Sequence, residues 1–349
     1  YFQMFQHLKQ YNTVSHVLGA EGTYKLGPSF SLQVRDSFSY LTGTFQPPSA
    51  TTLIPGLGFP TSLNQAIVTP IAPQITNNSR MDAVYHKSRR TSFTIFGGYN
   101  RLDFLGKTGT GENLLNTTDI NAGIEYNYRA TEHTTVGFQY LFDNMSFGGS
   151  TTILTNGRTL VHSAFLSLAW QAAPSVTVTV FGGPQYLVPS NHPLQIGSLP
   201  GSGFMARSGS NQPWQTAGGA TLTKQAQKTA FTVSAMRTTS DGGGLLTSVT
   251  SSSVDVGVRR HLMRKWDVSA NVIASRADEL GSQFAGGQID SQSASFGVSR
   301  GLSENSSATL SYSASRDQSK GNVPFAANFT TNRITLNFSY NAKGIQLGR

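Results

Sequence analysis

The sequence lacks cysteine, and only 12% of its residues are charged, which is about half the share of an ordinary soluble protein. Without thiols, the chain has no disulfide framework and no thiolate metal site. It also lacks any run of about 18 apolar residues, which excludes a transmembrane helix. Aromatic residues make up 10% of the chain and apolar residues recur regularly, whereas disordered chains have few of either.

The charged residues that are present do not form a recognisable functional cluster. The formal net charge is +9, but lysine and arginine are scattered or lie at turns, so nucleic-acid binding is not predicted. The histidines are dispersed and form no metal-ligand spacing. No G-x-S-x-G segment marks a nucleophilic serine. We therefore expect a protein that is not an enzyme and that has no metal and no cofactor.

The main positive signal is the alternation of apolar and polar residues. Ile120, Ala122 and Ile124 fall on one face of an extended segment, with Asn121 and Glu125 on the other. Similar segments recur along the chain, many of about 10 residues or more, which is the length of a tilted membrane-spanning strand. Strands leave no backbone group unpaired in lipid only when their sheet closes on itself. The pattern predicts an all-β fold, an up-and-down antiparallel barrel in the bacterial outer membrane.

The connections between these segments alternate between short polar turns and longer loops rich in Gly, Ser and Asn, as in outer-membrane barrels. Residues 1–349 are therefore expected to form a single barrel domain with two long extracellular loops, at about 46–77 and about 189–212. About 15 strands are predicted between residues 11 and 343. A sixteenth, at residues 1–8, would place both ends of an even-numbered barrel on the short-turn side.

The inward-facing positions define a candidate pore lining. Alternation assigns to this set Arg35, Asn121, Glu125, Asn127, Gln139, Asp143, Asp255, Arg259, Asp267, Asn271 and Asn337. Because acids and bases are mixed and most other inward residues are small, we expect a wet, weakly selective lumen. A competing interpretation is that Glu125, Arg129 and Arg259 form an ion-pair network that braces the wall. A diffusion porin would need a constriction loop that folds inward, for which either long loop could serve, whereas an exporter should lack a tight filter.

Large aromatic residues lie beside the short turns. We predict that they form a girdle at the periplasmic interface, where a ring with an apolar body and a polar tip is stable. The predicted members are Tyr24, Tyr128, Trp170, Trp266 and Tyr340.

Three motifs lie in the part of the chain from about residue 117 onward: residues 126–129 (YNYR), 181–186 (FGGPQY) and 241–246 (DGGGLL). With these motifs, this part of the chain resembles the β-barrel porin-2 family of bacterial outer-membrane barrels. Members of this family are often associated with surface polysaccharide systems. The resemblance implies polysaccharide export, with a periplasmic polysaccharide-export protein or another envelope complex as partner.

Two other functions stay open at this point. One is a general diffusion porin, and the other is a non-conducting structural barrel that anchors an envelope complex. In all three cases, lipid and lipopolysaccharide of the outer membrane are the expected surroundings. The sequence leaves the oligomeric state and the transported solute open.

Overall fold

A computed structural model describes most of the chain. It covers residues 2–3, 13–14, 16–41, 73–105, 115–148, 157–191, 213–242, 246–263, 265–280, 287–303, 305–320 and 328–340. Among these residues, no helix is long and apolar enough to cross a bilayer.

Within these described ranges, all the regular elements are strands. They are β1 (Phe2–Gln3), β2 (Thr13–Val14), β3 (His16–Lys25), β4 (Phe30–Leu41), β5 (Gln74–His86), β6 (Thr91–Phe104), β7 (Asn116–Arg129), β8 (Thr134–Gly148), β9 (Gly157–Ala173), β10 (Val176–Asn191), β11 (Trp214–Gln225), β12 (Thr229–Gly242), β13 (Leu246–Met263), β14 (Trp266–Glu279), β15 (Gln288–Gly301), β16 (Ser306–Lys320) and β17 (Phe329–Tyr340).

The strands β3 to β17 form a 15-stranded sheet in which each strand pairs with its neighbours in sequence. All the pairings are antiparallel, which confirms the predicted all-β, up-and-down architecture. Within the described residues, the edge strands β3 and β17 do not pair with each other, so the sheet is not closed there.

Of the predicted sixteenth strand at residues 1–8, the structure describes only Phe2–Gln3, which are not part of this sheet. Phe2–Gln3 pair instead with Thr13–Val14 in a separate two-stranded ladder, and residues 4–8 lie outside the described residues. In the sequence, an extended segment here would carry Phe2 and Met4 on one face and Phe5 on the other, so alternation does not specify a buried side.

The connections follow the expected alternation. Short turns at one end of the sheet lie at 26–29, 87–90, 130–133, 174–175, 226–228, 264–265 and 302–305. In the first of these, Gly27 has a φ of 128°, a conformation that glycine adopts without steric cost. At the other end most connections are longer, and the exception is 243–245 between β12 and β13.

The boundaries of the two long loops differ from those predicted. β5 begins at Gln74, so residues 74–77 are strand rather than loop, and β10 continues to Asn191, so residues 189–191 are also strand. Both extensions are rich in residues that are common in loops, such as Thr76, Asn77, Ser190 and Asn191, which is why the sequence indicates loop there. Residues 46–72 and 192–212 lie outside the described residues.

The two faces of the sheet differ sharply in polarity. Glu125 and Gln139 are each only 2% exposed, whereas the adjacent Ile124 and Phe138 are 45% and 44% exposed. A soluble protein would bury the apolar face and expose the polar one. This sheet does the reverse, which is the arrangement of a wall between hydrocarbon and a polar interior. We refer below to the inner (polar) and outer (apolar) faces.

Candidate functional site

The predicted pore-lining residues all fall on the inner face. Asn121, Glu125, Asn127, Gln139, Asp143 and Asp255 are buried, Arg35, Asp267, Asn271 and Asn337 are partly buried, and Arg259 is exposed. Alternation therefore placed these side chains on a common face. Their role in lining a pore stays a prediction.

Several inner-face residues bond to one another. The Asn127 amide donates a 2.5 Å hydrogen bond to the Glu125 carboxylate on the same strand. The Asn271 amide of β14 donates to Asp255 of β13 at 3.1 Å. Such contacts satisfy polar groups that would otherwise be buried without partners, and they fix the positions of the side chains along the wall.

The ion pairs of the inner face differ from the network considered in the sequence. Asp82 of β5 bonds to both Arg35 and Arg80, at 2.8 and 2.7 Å. Arg259 pairs with Asp267 at 3.5 Å. Among the described residues, no ion pair joins Glu125 to Arg129 or to Arg259. Arg129 lies four residues from Glu125 on β7, or about 13 Å in an extended strand, and Arg259 lies on β13, which is not a neighbour of β7 in the sheet.

Asp82 was missing from the sequence-based set, although a signal for it exists. Arg80 and Asp82 alternate with Met81 and Ala83 in β5. The outer-face Met81 is 52% exposed, whereas Asp82 is buried. The same rule that selected Glu125 would therefore have selected this ion-pair cluster.

The inner face also carries a large apolar cluster, contrary to the expectation of a lumen lined by small polar groups. It consists of Phe96, Leu141, Phe165, Phe181 and Ala217, with Met236 packed against it. The rings of Phe165 and Phe181 meet edge to face, with centroids 5.6 Å apart. The cluster spans β6 to β12, so apolar side chains fill part of the interior.

A second inner apolar cluster lies nearer the long-loop end. Met145, Phe147, Val161 and Leu187 of β8 to β10 pack together, and Leu280, which follows β14, packs against them. Since β10 and β14 are not adjacent in the sheet, this contact reaches across the interior. The two clusters narrow the space that a continuous aqueous passage would need.

The end of the β12–β13 hairpin is the most buried polar segment. We define the hairpin tip as residues 238–242 of β12 and 248–251 of β13, all of which are buried on both faces of their strands. Thr239, Ser240 and Val249 are completely inaccessible. A hairpin end that projected into solvent would expose at least one face, so this one is covered by other parts of the chain.

The hairpin tip lies against the inner face of earlier strands. Its hydroxyl and carboxylate groups form four long-range hydrogen bonds, to β7, β9, β10 and β11. These join Thr117 to Asp241 at 3.0 Å, Thr159 to Ser248 at 3.2 Å, Thr239 to Gln185 at 3.0 Å and Thr250 to Gln215 at 2.7 Å. The tip therefore folds inward and occupies the long-loop end of the interior.

The porin alternative placed a constriction in loop 46–77 or loop 189–212, and most of both loops lies outside the described residues. The structure shows an inward fold at the shortest connection of that end instead. A signal for it is the run from Ser248 to Ser251, which places hydroxyl residues on both faces of β13. A strand with two polar faces has no apolar side for lipid, so it must leave the wall or be covered.

The predicted girdle residues are outer-face residues beside the short turns. Tyr24, Tyr128, Trp170 and Trp266 are 65%, 40%, 48% and 37% exposed. Tyr340 ends β17 beside its neighbouring short turn, but its side chain lies outside what the structure describes. Their position at a periplasmic interface stays a prediction.

No protein-family model matches the chain, and no curated protein matches it. Solved structures do. One is the alcaligin outer-membrane receptor FauA from Bordetella pertussis, at 14% identity and a TM-score of 0.47, covering 95% of this chain and 57% of that one. Another is the FrpB iron transporter (F3-3 variant) from Neisseria meningitidis, at 10% identity and a TM-score of 0.52, covering 92% and 57%. The copper transporter OprC is similar at 10% identity and 0.48, covering 94% and 66%.

The chain thus spans between about half and two thirds of the length of these proteins. At such low identity the likeness concerns the fold alone, and the match to FrpB carries it. The fold is that of bacterial outer-membrane β-barrels, in agreement with the all-β barrel class and the outer-membrane localisation predicted from the sequence.

Proposed function

We propose that this chain forms the wall of an outer-membrane barrel that passes hydrophilic material. The observation that carries the proposal is the separation of polarity along β7. Asp119, Asn121 and Glu125 are buried on the inner face, whereas Ile120 and Ile124 are exposed on the outer face. Lipid covers the exposed apolar side chains, and a polar solute can form hydrogen bonds with the amide and carboxylate groups of the inner face.

Surface polysaccharide is the solute class that we propose. The support is the resemblance of three segments to the β-barrel porin-2 family and the density of amide, hydroxyl and carboxylate groups on the inner face, which match the hydroxyl groups of a sugar chain. A periplasmic export protein or another envelope complex would then deliver the polysaccharide to the barrel. The similar solved structures are named as a receptor for alcaligin and as transporters of iron or copper, so they support passage but not this solute.

The hairpin tip serves in this proposal as the element that closes the passage. Four hydrogen bonds between neutral or singly charged groups hold it, each worth about 0.5–3 kcal/mol. The tip also pairs with the end of β14 through residues 249–251. The two strand ends can move together without unfolding the wall, because the ladders of β12 and β13 continue below the tip. The closed state should therefore conduct poorly and open when these bonds are broken.

Conductance in planar bilayers tests the passage. Asp241→Ala removes the carboxylate that accepts from Thr117 and should raise the frequency of open steps, whereas wild-type protein should open rarely. Asp278→Ala removes an exposed carboxylate at the same end of the sheet and should behave like wild type. If the folded Asp241→Ala barrel gives no conductance at all, the proposed passage is wrong.

Gene deletion tests the solute. Loss of an exporter should remove surface polysaccharide while the uptake of small solutes continues at its normal rate. Loss of a diffusion porin should slow small-solute uptake and leave the coat intact. A coat of normal amount in the deletion strain would refute polysaccharide export but would leave the bilayer result, and thus the passage itself, unaffected.

A second candidate function is a non-conducting barrel that anchors an envelope complex. The observation that favours it is the filling of the interior by the Phe165 cluster and the hairpin tip. In this case Asp241→Ala would free the hairpin tip but give no conductance, because the apolar cluster around Phe165 would still fill the interior. The same bilayer experiment therefore separates the two candidates.

A further inference from the structure

The outer face of β11 to β16 carries one polar row near the long-loop end. Cross-strand pairing places its members side by side on six consecutive strands. They are Gly218, Arg237, Ser252, Arg276, Asp290 and Gln318, which we call the cationic row. Because paired residues on adjacent strands point to the same side, two arginines flank one serine hydroxyl on the surface that faces lipid.

The height of this row matches the upper edge of the apolar band. Arg276 lies ten residues along β14 from Trp266, the aromatic residue beside the short turn. At about 3.4 Å per residue and a tilt of about 40°, the distance along the membrane normal is about 26 Å. The apolar band of such barrels is about 25 Å tall. The cationic row therefore lies at the level of lipid headgroups.

Directly below the row, the outer face of β11 to β14 is apolar and its side chains are small. The next paired row contains Ala220, Ala235, Val254 and Ala274 there and continues with the polar Gln292 and Arg316 on β15 and β16. The small residues of β11 to β14 and the cationic row line a groove of about 680 Å³. A shallow groove between small side chains lets an acyl chain pack close to the strands. The outer face around Phe296 and Tyr312 does not, because these large side chains project from it.

The charge around the groove favours an anion. On the outer face of this region, Arg237, Arg276, Arg316 and Lys320 face two carboxylates, Asp278 and Asp290. Asp290 already bonds to Arg276 at 2.8 Å and to Lys320 at 3.0 Å. In the part of the chain that the structure describes, the exposed guanidinium of Arg237 makes no hydrogen bond or ion pair.

We propose that this groove binds one phosphorylated glycolipid of the outer leaflet, with lipid A of lipopolysaccharide as the occupant. Arg237, Ser252 and Arg276 bind its phosphate group, and the small-residue row accommodates an acyl chain. Two guanidinium groups and a hydroxyl supply the charge-assisted donors that a phosphate requires. The proposal rests on the membrane setting of the proposed function but not on conduction.

Binding of purified lipid A to the folded, full-length protein in detergent micelles tests this site. Arg237→Gln with Arg276→Gln should weaken binding by roughly 30-fold, since each cation near an anionic lipid contributes about fivefold. Arg158→Gln changes an exposed outer-face arginine of β9 that bonds to Asn144 and lies outside the groove, so it should bind like wild type. Ala274→Phe fills the groove and should weaken lipid A binding while both arginines remain.

Three results would overturn the proposal. Binding of lipid A that is unchanged in the double arginine variant would show that the row is not the phosphate site. Equal binding of dephosphorylated lipid A would show that charge plays no part. If inorganic phosphate displaced lipid A at equal concentration, the site would be one for a free anion. None of these results depends on conductance, so the lipid A test remains valid even if the protein does not conduct.

Discussion

A charge placed on the outer face of β14 gives the sharpest test of the wall. Val272 is 55% exposed and pairs with Val256 and Ala294 on the adjacent strands, so its surroundings are apolar. It lies six residues from Trp266, or about 16 Å along the membrane normal. That position is well inside a band about 25 Å tall, where an arginine costs about 2–4 kcal/mol.

The assay is the folding free energy of Val272→Arg in lipid vesicles, measured by denaturant titration. The matched control is Asn271→Arg, one residue away on the inner face. There a guanidinium can take the place of the amide that donates to Asp255, so the change should stay within about 0.5 kcal/mol. The difference in folding free energy between the two variants removes the effect of introducing an arginine and leaves the effect of the face on which it lies.

Equal destabilisation by the two variants would refute the assignment of the faces. A larger loss for Asn271→Arg would mean that the strand is displaced by one residue, because such a shift exchanges the two faces. A loss below about 0.5 kcal/mol for Val272→Arg would mean that water, not hydrocarbon, covers the outer face.

Three further perturbations probe other parts of the sheet. Gly183→Ala would place a Cβ 1.8 Å from a backbone carbonyl oxygen of β9, and it should lower the free energy of unfolding by roughly 3 kcal/mol in a denaturant titration. Gly182→Ala, whose Cβ would have its nearest contact at 3.7 Å, should be tolerated. Equal stability of the two variants would exclude the close approach at Gly183. Asp82→Asn removes the carboxylate between two arginines and should cost about 1.5–3 kcal/mol; an unchanged unfolding curve would show that this cluster is not formed. In intact cells, a cysteine at Thr131 should resist a membrane-impermeant label and one at Gly148 should react; since the chain has no native cysteine, the reverse pattern would invert the topology.

The faces of the wall could be predicted from the sequence because alternation is a local property. Ile124 and Glu125 differ in exposure as their positions in β7 require, and the same holds for Phe138 and Gln139 on β8. The alternation within one strand indicates which of its faces is apolar and which is polar, whatever strands lie beside it. The up-and-down order follows as well, since short turns connect consecutive strands.

The interior could not be predicted in this way. Alternation placed Leu141 and Phe181 on the inner face but did not show that they meet Phe96 and Phe165 in one cluster. The bond between Thr117 and Asp241 joins residues 124 positions apart, and no local pattern encodes that distance. The sixteenth strand stays a prediction outside Phe2–Gln3, and the alternation of residues 1–8 is too weak to indicate which face would be apolar.

The sequential order of the sheet has a consequence for how the molecule assembles. Because each ladder joins consecutive strands, most contacts can form hairpin by hairpin as the chain is delivered, with short loop closures that favour rapid folding. The contacts of the hairpin tip with β7 and β9 are different, since they require the curved wall to exist first. The interior should therefore be the last region to become ordered, and a membrane-inserted intermediate with a complete wall and an open interior should precede the final state.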